Sequence, residues 1–442
     1  MRRTKWTGGV KENKRLKDGR WLNKATKFKP KLSLSNENKK VAEMLFDSLE
    51  MERGYTVEKK LQTFERLLAN LLRDNKHPVR ISMNQNTWSK YQYKNISGAI
   101  TNQIHKLRKH KLIGMKKGMH IQGKPARETR IWANTSLLKL FPCADSNAVR
   151  WDPFELVEVW TKERVTSRYN GEQITVRKQI SYTDTAEVRR IRKILSKVNK
   201  LNNEADVMFI EGKKNLRLNT ALIAKFVDKL TQGGRLYTEG ISYYQGLSST
   251  DRQEITINGK PTVEVDYSAL HPMLLYAAKG IQYRDDPYSV VNDNPIARPF
   301  LKQILLRMIN CRNKHDAMSS SGIWWSQQKK SEKNALDDIG LIDSRPLIEK
   351  FMEIHKPIAH YLCSGKETGL RLMNKDSKIA LDVLNHFAKQ NISILCMHDS
   401  FLVDKTFADE LVSTMRKMYR KHTKTLEYVN GFRCKIKRSD KS

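Results

Sequence analysis

Residues 392–403 read Ile-Ser-Ile-Leu-Cys-Met-His-Asp-Ser-Phe-Leu-Val, and residues 263–268 read Val-Glu-Val-Asp-Tyr-Ser. The first is an apolar strand that breaks at His398-Asp399-Ser400-Phe401 and resumes at Leu402-Val403. The second is a strand entered through the turn signal Asn258-Gly259-Lys260-Pro261 and left at Asp266, with His271-Pro272 just beyond. Each strand carries one carboxylate to its end, so the fold turns on whether Asp266 and Asp399 meet. Neighbouring carboxylates repel, and a divalent ion relieves that repulsion while keeping coordination positions for phosphates. Spacing alone also fits two unrelated turn acids.

Working outward, Arg298 and Lys302 stand one helical turn apart on an apolar stretch, Phe300, Leu301, Ile304, Leu305, Met308 and Ile309. Taken alone they are a cation pair on a solvated helix face. Asp286-Pro287-Tyr288 precedes that stretch, and Asp376-Ser377 precedes a helix over 379–388. Upstream, Gly234-Arg235-Leu236 is followed by Gln245, which by itself is an ordinary turn.

In wording and order these segments resemble the palm and fingers of family A DNA polymerases and the related single-subunit, phage-type RNA polymerases, over roughly residues 233–425. Asp266-Tyr267-Ser268 resembles the first metal motif, and His398-Asp399-Ser400-Phe401 resembles the RNA-polymerase form of the second. Gly234-Arg235-Leu236 with Gln245 resembles the segment that contacts primer–template. The resemblance implies two Mg²⁺ ions, with Mn²⁺ able to substitute, on Asp266, Asp399 and the backbone carbonyl of Tyr267. It implies that His398 orients the second carboxylate and lies near the nucleic acid, that Arg298 clamps the triphosphate by its fork, and that Lys302 neutralises or protonates the departing pyrophosphate.

Two positions depart from the pattern. DNA-polymerising members generally place Glu five residues after the first Asp, where it helps exclude a 2′-hydroxyl; here stands His271. Where the fingers helix runs on to an aromatic residue and Gly, this chain has Asn310-Cys311. Trp324 and Trp325 offer either a replacement stacking surface or core packing, and the core is the expected one. His355 and His360 are read as structural or nucleic-acid contacts, because their spacing of five does not suit a helical metal pair.

The 442 residues carry 82 Lys or Arg against 47 Asp or Glu, a formal charge of +35, so a polyanion is the expected partner. Residues 1–150 hold 34 of the basic and 12 of the acidic side chains. Residues 1–40 read as a basic flexible arm. Residues 41–141 return to helical periodicity, with Ile96, Ile100, Ile104 and Leu107 on one face among Lys90, Lys94, Lys106, Arg108, Lys109 and Lys111. Lys116 and Lys117 follow, then a hairpin turning at Gly123-Lys124-Pro125. Helix, basic helix and basic hairpin resemble a winged helix-turn-helix, in which the recognition helix enters the major groove. A basic but purely structural helical domain fits the same pattern.

Residues 142–232 read as a connecting, thumb-like helical region with helices at 188–201 and 222–230, and residues 233–442 as palm and fingers with a basic end. No Asp-x-Glu precedes residue 230, so a proofreading exonuclease is not expected. Five cysteines without a C-x-x-C pair suggest neither a disulfide framework nor a cysteine zinc site, and no apolar run suits a membrane span.

The expected fold class is α+β: a right-hand polymerase with an antiparallel palm sheet, helical fingers and thumb, and an N-terminal winged-helix-like domain. The expected function is template-dependent nucleotidyl transfer, DNA synthesis before RNA synthesis or priming. A non-catalytic DNA-binding replication or transcription factor is the reading from another class. Expected partners are DNA, deoxynucleoside or nucleoside triphosphates, and a helicase or single-strand-binding protein as a candidate assistant. Membrane is not among them, and the expected location is cytoplasmic, at the nucleoid.

Overall fold

The computed structural model describes residues 19–424 except 52–55, 89–92, 94–95, 120–126, 145–147, 154, 167–171, 212–213, 240–241, 292–295, 342 and 366. Residues 1–18, Lys90, Lys94, the turn at Gly123-Lys124-Pro125 and the basic C-terminal end therefore lie outside the described residues.

The chain opens with α1 (Gly19–Asn23), β1 (Thr26–Lys27), β2 (Leu32–Leu34), α2 (Asn36–Ser48) and α3 (Val57–Leu72). It continues through β3 (Val79–Ile81), α4 (Ile100–Lys109), β4 (Ile113–Lys116), β5 (Thr129–Ala133), α5 (Thr135–Leu138) and β6 (Val149–Trp151). Phe64, Leu67, Leu68 and Leu71 of α3 bury the stripe that their spacing marks, and Ile100, Ile104 and Leu107 of α4 close over it. A four-stranded sheet in the order β1-β3-β5-β4 covers the other side, and β2 pairs antiparallel with β6.

Residues 19–40 are not wholly the free arm that their charge suggested. Phe28, Leu32 and Leu34 are buried, each contributing about 2 kcal/mol of apolar burial. The guanidinium of Arg66 on α3 holds the carbonyl of Pro30 at 3.2 Å and Asn70 Oδ1 accepts from the Lys29 N–H at 2.7 Å. Three apolar anchors outweigh a cationic composition.

Next come β7 (Val157–Thr166), β8 (Gln173–Ile180), α6 (Ala186–Glu204), β9 (Val207–Glu211), β10 (Lys214–Arg217), β11 (Leu222–Val227) and β12 (Lys229–Thr238). The expected helix over 188–201 is α6, started by the Thr185 hydroxyl accepting from the Val188 N–H at 3.3 Å. The expected helix over 222–230 is instead a hairpin, because Asp228 takes φ +57 and folds β11 back on β12. This region is thus largely sheet, ordered β12-β11-β7-β8 with β11 and β7 parallel.

The remainder holds β13 (Ile255–Ile257), β14 (Lys260–Asp266), α7 (Leu270–Ala278), α8 (Ala297–Asn310), α9 (Lys314–Ser326), α10 (Lys330–Asp337), α11 (Arg345–Ile354), α12 (Thr368–Lys389), β15 (Ile394–Met397), β16 (Ser400–Asp404) and α13 (Ala408–Thr423). An antiparallel six-stranded sheet runs β10-β9-β13-β14-β16-β15. Helix α12 is the spine, packing on β12, α13 and α6, with Leu372, Ile379, Val383, Leu384 and Phe387 buried.

The architecture is mixed α+β, with one core spanning Phe28–Trp151 and a second spanning Val157–Tyr419. The cores divide between residues 151 and 157, not at the expected boundaries near 141 and 232, because β11 and β12 pack into the second core. Among the described residues no helix is long and apolar enough to cross a membrane.

Candidate active site

Strand β14 delivers Asp266 to its end because Val263 and Val265 alternate into the core. Its partner β16 runs antiparallel with Val265 opposite Phe401 and Asp266 opposite Ser400. β15 and β16 join through the two-residue turn His398-Asp399, in which His398 adopts φ +63. A non-glycine residue in that region is uncommon and marks a constrained turn. The turn places Asp399 beside the residue opposite Asp266, and the Tyr267 N–H donates to the Asp399 carbonyl at 3.2 Å. Both aspartates therefore sit at the same end of adjacent, directly paired strands.

Tyr267 itself turns inward: its ring is buried and its hydroxyl donates to the Met415 carbonyl. Behind β14, Glu264 accepts from Arg252 at 3.0 Å and from the Ser400 hydroxyl at 2.7 Å, fastening β14 to β16.

On one flank, the left-handed Ala269 (φ +59) swings the chain into α7 and carries His271 beneath the sheet end. His271 is buried, with Nε2 2.9 Å from Asp376 Oδ2 on α12. Arg235 donates to the same oxygen from Nε at 3.0 Å and Nη2 at 2.8 Å, and its Nη2 lies 3.2 Å from His271 Nε2. Burial pulls the Arg235 guanidinium down, but the charges of Asp376 and Asp399 more than offset it and raise it above its ordinary value. The second oxygen of Asp376 is buried without a hydrogen-bond partner among the described residues. Asp376 is the residue that sequence reasoning undervalued: it was expected ahead of a helix over 379–388, whereas it lies buried inside α12 (Thr368–Lys389).

On the other flank, Arg298 opens α8, chelates Asp286 through Nε and, at 3.4 Å, Nη2, and lies 4.9 Å over the Tyr288 ring. Burial raises the Tyr288 phenol; Arg298 opposes this, and the charges of Asp399, Asp286 and Asp266 add to it. This one hydroxyl thus senses both strand-end carboxylates and the arginine. Lys302, one turn along α8, is exposed.

His398 packs edge-on against Tyr237, ring centres 5.2 Å apart. Burial lowers its pKa, Arg235 lowers it further, and Asp399 and Asp376 pull the other way, so the imidazole is neutral near pH 7.

Other expected site residues are otherwise employed. Both amide protons of Gln245 are spent on the carbonyls of Leu236 (3.2 Å) and Cys396 (2.7 Å), so it fastens β12 to β15 rather than offering donors to a template. Asn310 binds the Leu306 carbonyl at 2.7 Å and lies so close to α12 that a Cβ on Gly369 would meet its Oδ1 at 1.9 Å. Trp324 and Trp325 pack on Phe300 of α8, in line with the expected core role. His355 is fully buried between the Tyr276 hydroxyl at 2.7 Å and the Pro287 carbonyl at 2.9 Å, a structural assignment.

On the N-terminal unit, Lys106 closes the end of α2 by donating to the Leu49 carbonyl at 3.3 Å and to that of Glu50. Its neighbours Arg108, Lys109, Lys111, Lys116 and Lys117 are exposed.

Among the described residues no group of three or more His, Cys, Asp or Glu side chains is arranged to hold a metal. Two strand-end carboxylates and the Tyr267 carbonyl are nevertheless hard oxygen donors. They suit Mg²⁺, which commonly takes one or two protein carboxylates and completes its shell with water and phosphate.

No protein-family model and no curated protein matches the chain. Among solved structures, the POL domain of Pol1 from M. smegmatis, in complex with DNA primer-template and dNTP, is similar over 53% of this chain and 49% of that one, with 12% identity and a TM-score of 0.29. The chain thus spans about half the length of that structure.

Proposed function

We propose that this chain is a template-dependent nucleotidyltransferase, a DNA polymerase of family A type without a proofreading domain, that binds DNA through its N-terminal unit. The observation that carries the reading is the pairing of β14 with the β15–β16 hairpin, which sets Asp266 beside Asp399. Two Mg²⁺ ions held there would activate a 3′-hydroxyl and stabilise the leaving oxygen. The chain's own residues do the rest. Arg298, once released from Asp286, presents a planar fork to the triphosphate, and Lys302 meets the departing pyrophosphate from the exposed side of α8. Neutral His398 braces the turn that bears Asp399.

The N-terminal unit supports DNA binding by its topology: α3, β3, a loop, α4, then the β4–β5 pair with β3 beside β5, the order of a winged helix. Arg108 and Lys109 stand on the exposed side of the second helix, and Lys116 and Lys117 are exposed at the end of β4.

A second reading, ribonucleotide incorporation, is favoured by His271, which is drawn back onto Asp376 and Arg235 in place of the family's acidic gate. Extension of a primed and an unprimed template with dNTPs or rNTPs and Mg²⁺ separates the two. Primed dNTP addition supports the first, rNTP addition the second, and incorporation of neither contradicts both.

A further inference from the structure

A groove of about 820 Å³ runs between the N-terminal unit and the sheet β12-β11-β7-β8. One wall is the Lys27–Lys31 segment with Trp151; the other is one face of the sheet. Register fixes that face: Lys225 lies beside Glu158 and Arg235, Trp160 beside Val227, and Tyr237 two residues from Arg235. Arg235 reaches the Asp376–His271 pair, and Tyr237 touches His398. The groove floor therefore ends at the turn that carries Asp399.

Six Lys or Arg side chains line the groove against one carboxylate, Glu239. Glu239 pairs with Lys225, and the buried Glu158 pairs with Lys31. Lys162 and Arg177 instead face each other directly across the β7–β8 ladder, with no ion-pair partner among the described residues. Like charges directly opposite on a sheet cost stability, so this pair makes sense with an anion laid across it. Lys225 is pushed down to about 8, chiefly by burial, with Lys31 and Arg177 adding to the shift against the pull of Glu158. Between these cations lie aromatic surfaces: Trp160 and Tyr237 are half-buried, and Tyr243 is 39% exposed at the rim.

We propose that this groove binds single-stranded nucleic acid, with phosphates on Lys162, Arg177 and Lys225 and bases stacked on Trp160 and Tyr237, and leads the strand to the Asp266–Asp399 edge. A row of cations interleaved with flat rings serves any base and tracks a backbone, which is the chemistry of a single strand. The strand's destination rests on the polymerase reading; its binding does not.

The test uses the full chain and a fluorescein-labelled oligothymidylate, followed by anisotropy across a salt series, with a 5-iododeoxyuridine version for photocrosslinking. The double substitution Lys162→Gln with Arg177→Gln alters only exposed side chains and should preserve folding. It is expected to weaken binding about tenfold or more and to flatten the log K against log salt slope by about 1.4, since each phosphate contact on a single strand is worth about 0.7. Trp160→Ala is expected to weaken binding by about tenfold, and crosslinks are expected at Trp160 or Tyr237. Unchanged affinity and slope in the double variant, with crosslinks confined to residues 100–117, would overturn the groove. Primer extension by the parent chain keeps the two readings apart. Strand binding that needs the groove residues without any primer extension sinks the polymerase reading alone. Normal extension with groove variants that bind like the parent sinks the groove alone.

Discussion

The Tyr267 N–H donates to the Asp399 carbonyl at 3.2 Å, tying the residue after one strand-end carboxylate to the residue that bears the other. Since Asp266 lies opposite Ser400 in the same ladder, the two acids are fixed by backbone pairing rather than by flexible side chains. Sites built on paired strands hold their groups more closely than sites on loops.

Asp376 anchors Arg235 and His271 from within α12, and its carboxylate is almost completely buried. Removing one partner of a buried pair strands the other charge. Asp376→Ala is expected to cost about 3 kcal/mol, read as a lower urea midpoint with an unchanged slope. A midpoint equal to the parent's would contradict the anchoring role.

Gly234 sits at φ +90, and a Cβ there would lie 2.6 Å from the Phe226 ring and 3.0 Å from the Ser377 hydroxyl. Gly234→Ala combines left-handed strain of about 1–2 kcal/mol with a clash against α12. Loss of stability should come with lost activity, because the neighbouring Arg235 moves off Asp376. Unaltered melting and activity would show that the close approach is unimportant.

Lys302 is exposed on α8, so Lys302→Ala should change stability by less than about 0.5 kcal/mol. If it meets the leaving pyrophosphate, single-turnover nucleotide addition should slow by about a hundredfold or more. Equal rates with and without the amine would remove it from the mechanism.

His355 and His398 both have pKa values lowered chiefly by burial. The unfolded chain takes up these protons near pH 6.5, the folded chain only at lower pH. The unfolded state then binds more protons, so stability is full above about pH 6.5 and declines as pH falls, by up to about 1.4 kcal/mol per unit for each histidine. Denaturation series at about pH 7.5 and about pH 5 should show this decline, with a shallower one in His355→Gln. A flat profile over that interval would contradict the buried neutral state.

Strands β14 to β16, α8 and the second half of α12 were legible because their signals are local: alternating valines before Asp266, an apolar run before His398, and i,i+4 spacing on the helices. The hairpin over Leu222–Thr238 was not, because Leu-Ile-Ala-Lys-Phe-Val suits helix and strand alike and the turn depends on Asp228 adopting a positive φ. Buried anchors inside a cationic stretch, Phe28, Leu32 and Leu34, were masked by composition. Gln245 and Lys106 looked free because their partners, the carbonyls of Cys396 and Glu50, lie far along the chain and belong to tertiary packing.

The most direct measurement is Mg²⁺-dependent primer extension by the parent chain and by Asp266→Asn and Asp399→Asn, each at saturating primer–template. Each substitution should lower the rate by about a thousandfold or more while DNA affinity stays within about twofold, since neither carboxylate attracts phosphate by itself. Extension at the parental rate by either variant would contradict a shared metal site at Asp266 and Asp399.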